Sequence, residues 1–593
     1  MKLALLLLLP ALAIGAVPDA PLEGVWGAKR TFGPDTRGPL EIIRSKGEWR
    51  ARIARFEVGA RESNGRVSFT LPEGEGSFTG RLQPNGRSMR GYWTQRATVI
   101  DGMGYITPLT LQADATGNRW QGDVVPHEDE LTLYLVFSQA ADGGTRVFIR
   151  NPERNMGIFW QVDRIERAGE QVKLFGKWRG RGNERLFAEG TYRAEEKVLS
   201  LYFPSRGGSY DFTPIDAQSD FYARGRDAAP YRYRPPVPYD DGWKTGTLTE
   251  VGLAAAAIEE FVRAATQDPK SVEDLDLHAL LIARHGKLVV EEYFHGFHRW
   301  KPHETRSAGK VVATMLVGAA MESGEMDTST KVYEALGADP SSDERKTRMT
   351  VGHLLTMSSG YDCDDWDGSR PGSEDHILDD MPDRDFYRYT LALPMELEPG
   401  KQAIYCSINP NLAGAVVAAK TRRAIAELFD ERIARPLRMT RWHINTQPTG
   451  EPYLGGGIKI LPRDFMKLGQ VLLDGGTWNG ERILPKEFAV RAGSPLMTLR
   501  NQPAGMRYGY LWWTIDYPYR DKTITAYFAS GNGGQVVVVI PDLDMVIACY
   551  GGNYNGRAGW AVVRELIPKH LLGAAEGSPR VLSERPLTSL RGY

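Results

Sequence analysis

The chain predicts an N-terminal all-β domain, barrel- or sandwich-like, followed by an α/β domain. Three observations carry this expectation. Residues 22–222 read as short strands punctuated by turns, a proline-rich stretch follows, and beyond residue 247 helical and strand patterns alternate. The 593 residues leave room for two to four domains at about 150 residues each. Hydrophobic residues are 42% and charged residues 25%, which allows a large core and excludes a mainly disordered chain. Lys+Arg number 73 and Asp+Glu 74, a net charge of −1. Bulk charge therefore has little to attract a phosphate backbone or an anionic membrane, and no nucleic-acid partner is expected.

The chain opens with Met1-Lys2, an apolar run from Leu3 to Gly15, and the small residues Ala13 and Ala16. This pattern reads as a cleaved secretory signal over residues 1–20. The run is shorter than the roughly 18 apolar residues of a membrane span, and no cysteine follows it to carry a lipid. The mature protein is expected outside the cytoplasm, periplasmic or extracellular, without a transmembrane span.

The all-β domain is taken as residues 21–222. Its strand candidates include Pro39 to Ile43, Gly76 to Gly80, Leu131 to Val136, Arg146 to Ile149 and Val198 to Phe203. Pro84-Asn-Gly86, Asp142-Gly-Gly144 and Arg206-Gly-Gly208 supply turn chemistry between such runs. Gly24-Val25-Trp26 is reminiscent of the opening strand of lipocalins. A linker is expected over 223–246, where Pro230, Pro235, Pro236 and Pro238 interleave with Tyr and Arg. The second domain spans 247–574, and residues 575–593 read as a tail. Val251 to Ala265 is a helix candidate, and Ala279 to Ala283 with Lys287 to Val290 forms a hairpin around His285-Gly286.

The chemistry concentrates at Ser307-Ala-Gly-Lys310, which leads into the apolar helix candidate Val311 to Met321. Serine and lysine three apart lie on one helical face. An amine held against an apolar helix loses hydration, which depresses its pKa and lets it take a serine proton. With its neighbours, this stretch resembles the serine hydrolases of the penicillin-binding fold: class C β-lactamases, D-Ala-D-Ala peptidases and related esterases. The matching pieces are Ile282 to Gly286, Val289 to Gly296, Ser307 to Lys310 and His353 to Gly360. After them come Pro399-Gly400, Tyr405-Cys-Ser407, Gly455-Gly-Gly457, Arg463-Asp464, Tyr508-Gly509, Trp512-Trp513 and Gly531 to Gln535.

The resemblance implies a β-lactamase/transpeptidase-like domain: an antiparallel sheet flanked by helices, plus a helical subdomain. It also implies Ser307 as nucleophile, Lys310 as the partner sharing its proton and Tyr405 as the proton shuttle to the leaving group. The backbone N–H groups of Ser307 and Asn532 match the oxyanion hole. Ser407, Ser530, Gly531 and Trp512 are expected at the substrate pocket, with Tyr508 and Trp513 beside it. The chain departs from the lactamase pattern twice. Ser407 replaces an asparagine, and Ala529-Ser530-Gly531 replaces a motif that carries a cation. Tyr405-Cys-Ser407 together with the Gly531-Asn-Gly-Gly-Gln535 strand looks more like the esterase and 6-aminohexanoate-dimer hydrolase branch. The expected activity is cleavage of a small-molecule ester, amide or peptide through an acyl-enzyme, with no cofactor and no metal. Alternatives are a β-lactamase or D-Ala-D-Ala peptidase, or an inactive binding protein. The β domain could contact glycan or lipid.

Three cysteines occur, Cys363, Cys406 and Cys549. Cys549 lies in an apolar strand pattern and reads as a buried thiol. The resemblance puts the Cys363 and Cys406 loops at the site, where a disulfide pinning Tyr405 and a pair of free thiols both remain open. His295, His298 and His303 lie in a turn region without an obvious tetrahedral set, and His353 reads as a helix-start packing residue.

Overall fold

The computed structural model describes residues 22–98, 102–139, 145–380, 384–500 and 506–575. The expected signal peptide and nearly all of the expected tail lie outside the described residues. The chain divides into two compact units, the first formed by residues up to Ala28, Leu133–Arg150 and Phe159–Ile215, the second by Lys29–Thr132, Asn151–Ile158 and the chain from Asp216 onward. The expected all-β segment thus contributes strands to both.

A closed barrel of eight strands contains most of the first unit. Its order is Gly24–Phe32, Asp129–Gln139, Thr145–Arg150, Trp160–Ala168, Gln171–Trp178, Arg181–Arg193, Val198–Phe203 and Gly208–Pro214. The Trp26↔Pro214 pairing closes it. Strand periodicity decides what fills it: Leu199, Leu201 and Phe203 are buried while Tyr202 between them is exposed. Inside, Trp160 stacks on Phe203 at 5.4 Å and Trp26 meets Tyr192 edge-on at 5.6 Å.

A second β ring lies in the second unit. Strands from Gly38–Ser45 to Tyr105–Ala113 pair in sequence, and Arg119–Val124 pairs with both of those end strands. Leu40, Ile42, Phe78, Met89, Trp93 and Trp120 fill the ring. The sheet does not stop there. Tyr105–Ala113 also pairs with Trp442–Asn445, which pairs with Ile458–Ile460, which pairs with His303–Glu304. A continuous hydrogen-bonded sheet therefore runs from the β ring to the residues just before Ser307.

The other large sheet has eight strands in the order Lys244–Thr245, Lys287–Tyr293, Leu277–Arg284, Met545–Gly551, Gln535–Ile540, Lys522–Gly531, Trp513–Tyr519 and Arg507–Tyr508. All neighbours are antiparallel except the first pair. Leu277–Arg284, Gln535–Ile540 and Met545–Gly551 are buried along their whole length, the mark of strands covered on both faces. The hairpin expected around His285-Gly286 forms with Arg284 opposite Lys287. Both turn residues have positive φ, 53° and 69°, as a two-residue hairpin of the primed type requires. Helix Pro462–Leu473 packs on this sheet through Gly469, whose absent side chain leaves room for Val537 and Val546. Among the described residues no helix is long and apolar enough to cross a membrane.

Candidate active site

The nucleophile candidate sits where the two sheets approach each other. Thr305 is tied to the first sheet, its N–H and Oγ donating to Ile458 O at 3.0 and 2.8 Å. The tight turn Arg306–Lys310 follows and runs into helix Val311–Glu322, which is apolar on all sides and almost wholly buried. On the other side the strand Lys522–Gly531 ends against this turn. A Cβ at Gly531 would fall 2.1 Å from Thr305 O and 3.0 Å from Ala308 N, so only glycine permits the approach. Asn532, which follows Gly531 in the chain and exchanges side-chain hydrogen bonds with Asn555, is expected with Ser307 to form the oxyanion hole. Gly533 and Gly534, at φ 102° and 95°, carry the chain away from it.

Lys310 Nζ donates to Ser307 Oγ at 2.9 Å and to the carbonyl oxygen of Gly455. It also lies 5.0 Å from the centre of the Tyr405 ring. Tyr405 is buried, and Ser307 is among the groups that act on its phenol. Part-buried Ser307 and the buried Lys310 and Tyr405 therefore form one cluster, from segments about a hundred residues apart that the resemblance alone had linked.

The electrostatics differ from the expectation of a depressed lysine. Burial, the largest single influence, pushes the Lys310 amine down, but the attraction of Tyr405, Glu374 and Asp365 together holds it above the ordinary lysine value. Burial likewise raises the Tyr405 phenol, an effect that Lys310 and the Ser307 hydrogen bond only partly offset. The apolar helix argument accounted for lost hydration and omitted the carboxylates that fold in from elsewhere.

Those carboxylates come from the loop after Tyr361. Asp365 Oδ2 accepts from both the N–H and the hydroxyl of Ser407 at 2.7 Å, and its own N–H donates to Tyr405 O at 3.0 Å. Burial and the neighbouring Glu374 push the Asp365 carboxyl up to about 7, against the pull of Lys310. Glu374 accepts from the Tyr453 hydroxyl at 2.6 Å. Cys363 and Cys406 are joined, with their Cα atoms 6.0 Å apart, so the Asp365 loop and the Tyr405 loop are tied covalently as well. Cys549 is a buried free thiol whose pKa burial raises. Asp365 and Glu374 were not singled out beforehand. The acidic run Asp362-Cys-Asp-Asp365 around one of the two site cysteines was the available signal.

The remaining expected residues fall in different places. Ser407 is buried and spends its hydroxyl on Asp365. Ser530 is part-exposed on the strand that ends at Gly531. Trp512, expected to line the pocket, is instead closed into the core, edge-on to Tyr527 at 5.6 Å. Its neighbour Trp513 stacks on Tyr405 at 5.5 Å, and Tyr508 meets the same ring edge-on at 6.2 Å. The exposed Trp366 lies 6.0 Å from Tyr405 on the outer side. His353 caps its helix, exchanging hydrogen bonds with Thr350. His303 is bonded to His278 at 2.8 Å in a buried cluster with Asp276 and His295. Among the described residues no group of His, Cys, Asp or Glu is arranged to hold a metal.

Comparison with known proteins agrees with this architecture. Residues 277–551 match the Beta-lactamase family. Over 260 residues the chain is 25% identical to a 6-aminohexanoate-dimer hydrolase of Paenarthrobacter ureafaciens, covering 41% of this chain and 65% of that relative, just under two thirds of its length. Among solved structures, a mutant simvastatin synthase from Aspergillus terreus superposes with a TM-score of 0.43 at 16% identity, covering 54% of this chain and 98% of the other. A penicillin-binding protein from Bacillus halodurans does so with a TM-score of 0.39 at 15% identity, covering 52% and 99%. The span that is similar to the Beta-lactamase family thus runs from the buried strand Leu277–Arg284 to the end of the buried strand Met545–Gly551.

Proposed function

We propose that the protein is an exported serine hydrolase that cleaves an ester or amide through an acyl-enzyme on Ser307. The observation that carries this reading is the cluster in which buried Lys310 donates to the hydroxyl of part-buried Ser307 at 2.9 Å and faces the buried Tyr405 ring at 5.0 Å. In the first half-reaction Ser307 Oγ attacks the substrate carbonyl and its proton passes to the Lys310–Tyr405 pair. The N–H groups of Ser307 and Asn532 receive the charge that develops on the carbonyl oxygen. Tyr405 returns the proton to the departing alkoxide or amine, and water then releases the acid by the reverse path. With both pKa values raised, the resting pair is a protonated amine and a neutral phenol. The form that accepts the serine proton has lost one proton, so acylation rises with pH.

Turnover of a carboxylate-bearing β-lactam is disfavoured. The strand beside the turn offers Ala529, Ser530 and Gly531 where a cation would be needed, and an unpaired buried carboxylate is costly. The disulfide between Cys363 and Cys406 supports export, since such bonds persist in oxidising compartments. Intact mass after fluorophosphonate treatment tests the proposal. One adduct on the wild type and none on Ser307→Ala is expected. A folded wild-type protein that takes up no adduct refutes it.

A further inference from the structure

We infer that a cavity of about 600 Å³ next to the nucleophile binds a neutral sugar carried by the substrate. The inference rests on the hydrolase reading and assigns a task to the β ring. One wall is the segment 123–130, which leaves the ring after strand Arg119–Val124, together with Arg37 at the ring's first strand. The opposite wall is the segment 297–304 with Lys459 and Tyr554. All of these residues belong to the same compact unit.

Two residues of the cavity lining lie close to the reacting centre along the chain or through a neighbour. Glu304 lines it and accepts from the Arg306 N–H at 3.0 Å. Glu304 lies three positions before Ser307, a span of at most roughly 11 Å. Tyr554 lines it from the oxyanion side. A Cβ on Gly533 would fall 2.8 Å from the Tyr554 ring, and Asn555 exchanges two hydrogen bonds with the Asn532 side chain. A substrate held at Ser307 therefore has this cavity within reach of one of its arms.

The lining selects among ligand classes. Basic and acidic side chains occur in near-equal numbers, and prominent ones are already paired: Arg37 with Glu128, Lys301 with Glu130 at 2.6 Å, and Lys459 with Asp129 at 2.6 Å. A charged ligand would compete with these pairs. An acyl chain would strip water from them without offering a hydrogen bond, which is unfavourable. A polyhydroxylated neutral group suits them, because each hydroxyl both donates and accepts. Aromatic surface for the apolar face of a ring is present too in Trp300, 43% exposed, whereas Tyr554 is buried and Phe297 is covered by His278 and Lys301. The volume lies in the range of small-molecule sites.

Calorimetric titration of cellobiose and xylobiose into Ser307→Ala tests the cavity without turnover. Saturable binding, weakened at least tenfold by adding Trp300→Ala and retained with Trp300→Phe, is the expected result. In the Ser307 enzyme, Trp300→Ala should lower the ratio of kcat/KM for methyl 6-O-acetylglucoside over that for p-nitrophenyl acetate at least tenfold. Absence of saturation up to 50 mM of either sugar overturns the inference, as does binding indifferent to Trp300→Ala, or tighter binding of octanoate or dialanine. The two readings fail separately. Sugar binding with no turnover of any ester and no fluorophosphonate adduct removes the hydrolase reading alone, while ester turnover without sugar binding removes this one alone.

Discussion

Two buried lysines in the same unit have opposite surroundings. Lys467 is fully buried in helix Pro462–Leu473, with Asp464 Oδ1 at 2.6 Å and Leu437 O at 2.9 Å. Lys310 is equally buried, yet its direct partners are a hydroxyl and a carbonyl, and its nearest carboxylates, Asp365 and Glu374, act from a distance. A buried ammonium in contact with a carboxylate is fixed in its charged form and serves packing. An amine that touches a serine hydroxyl and faces a phenol can take the serine proton once the pair has lost one of its own. The difference separates a structural lysine from a chemical one more sharply than burial does.

Substituting each lysine tests that distinction. Lys310→Met should slow fluorophosphonate labelling of Ser307 by about 10³–10⁴-fold, with stability in urea changed by no more than about 1 kcal/mol. Lys467→Met should do the reverse, costing about 3–5 kcal/mol of stability because it leaves Asp464 buried and unpaired. Equal stability losses in the two variants would erase the comparison. Asp365→Asn sharpens it. Removing that charge takes away one of the attractions that raise Lys310, so the rise of the labelling rate with pH should move to lower pH. An unmoved midpoint would show that Asp365 only braces Ser407 and Tyr405.

How much of this was legible beforehand follows from the range of each signal. Ser307 and Lys310 share a helical turn, and their three-residue spacing shows in the sequence. The Asp365 contribution depends on a loop that folding and the Cys363–Cys406 bond bring to Tyr405. No local pattern encodes that contact, and so the sign of the Lys310 shift was misjudged. The β region was legible as strands and turns but not as two rings. Period-two alternation is the same whichever partner a strand takes, and only the pairings of Arg119–Val124 with Gly38–Ser45 and Tyr105–Ala113 close the second ring. Trp512 and Trp513 illustrate the same limit at one-residue scale. Consecutive residues of an extended chain point to opposite faces, and nothing nearby says which face meets Tyr405.

The smallest expected effect concerns the histidines behind the sugar cavity. His303 is held well below the ordinary histidine value, first by burial and then by the repulsion of His278. His443 is lowered well below it by burial and by His127. In the unfolded chain both would titrate near 6.5. The sign follows from which state binds the proton first. Above about pH 6.5 both states are neutral and the full stability is present, whereas below it the unfolded chain gains protons that the folded chain refuses. Each histidine should therefore contribute a loss of about 1 kcal/mol between pH 6.5 and 5.5. His303→Asn should reduce that slope. Lys310 contributes no such loss in this window, because its raised value keeps it protonated in both states there. Asp365, raised to about 7 in the folded protein, takes up its proton in the same window and acts in the opposite direction. The histidine contribution is therefore read as the difference in slope between the wild type and His303→Asn. Equal slopes would show that His303 takes up its proton in the folded protein as readily as in the unfolded chain.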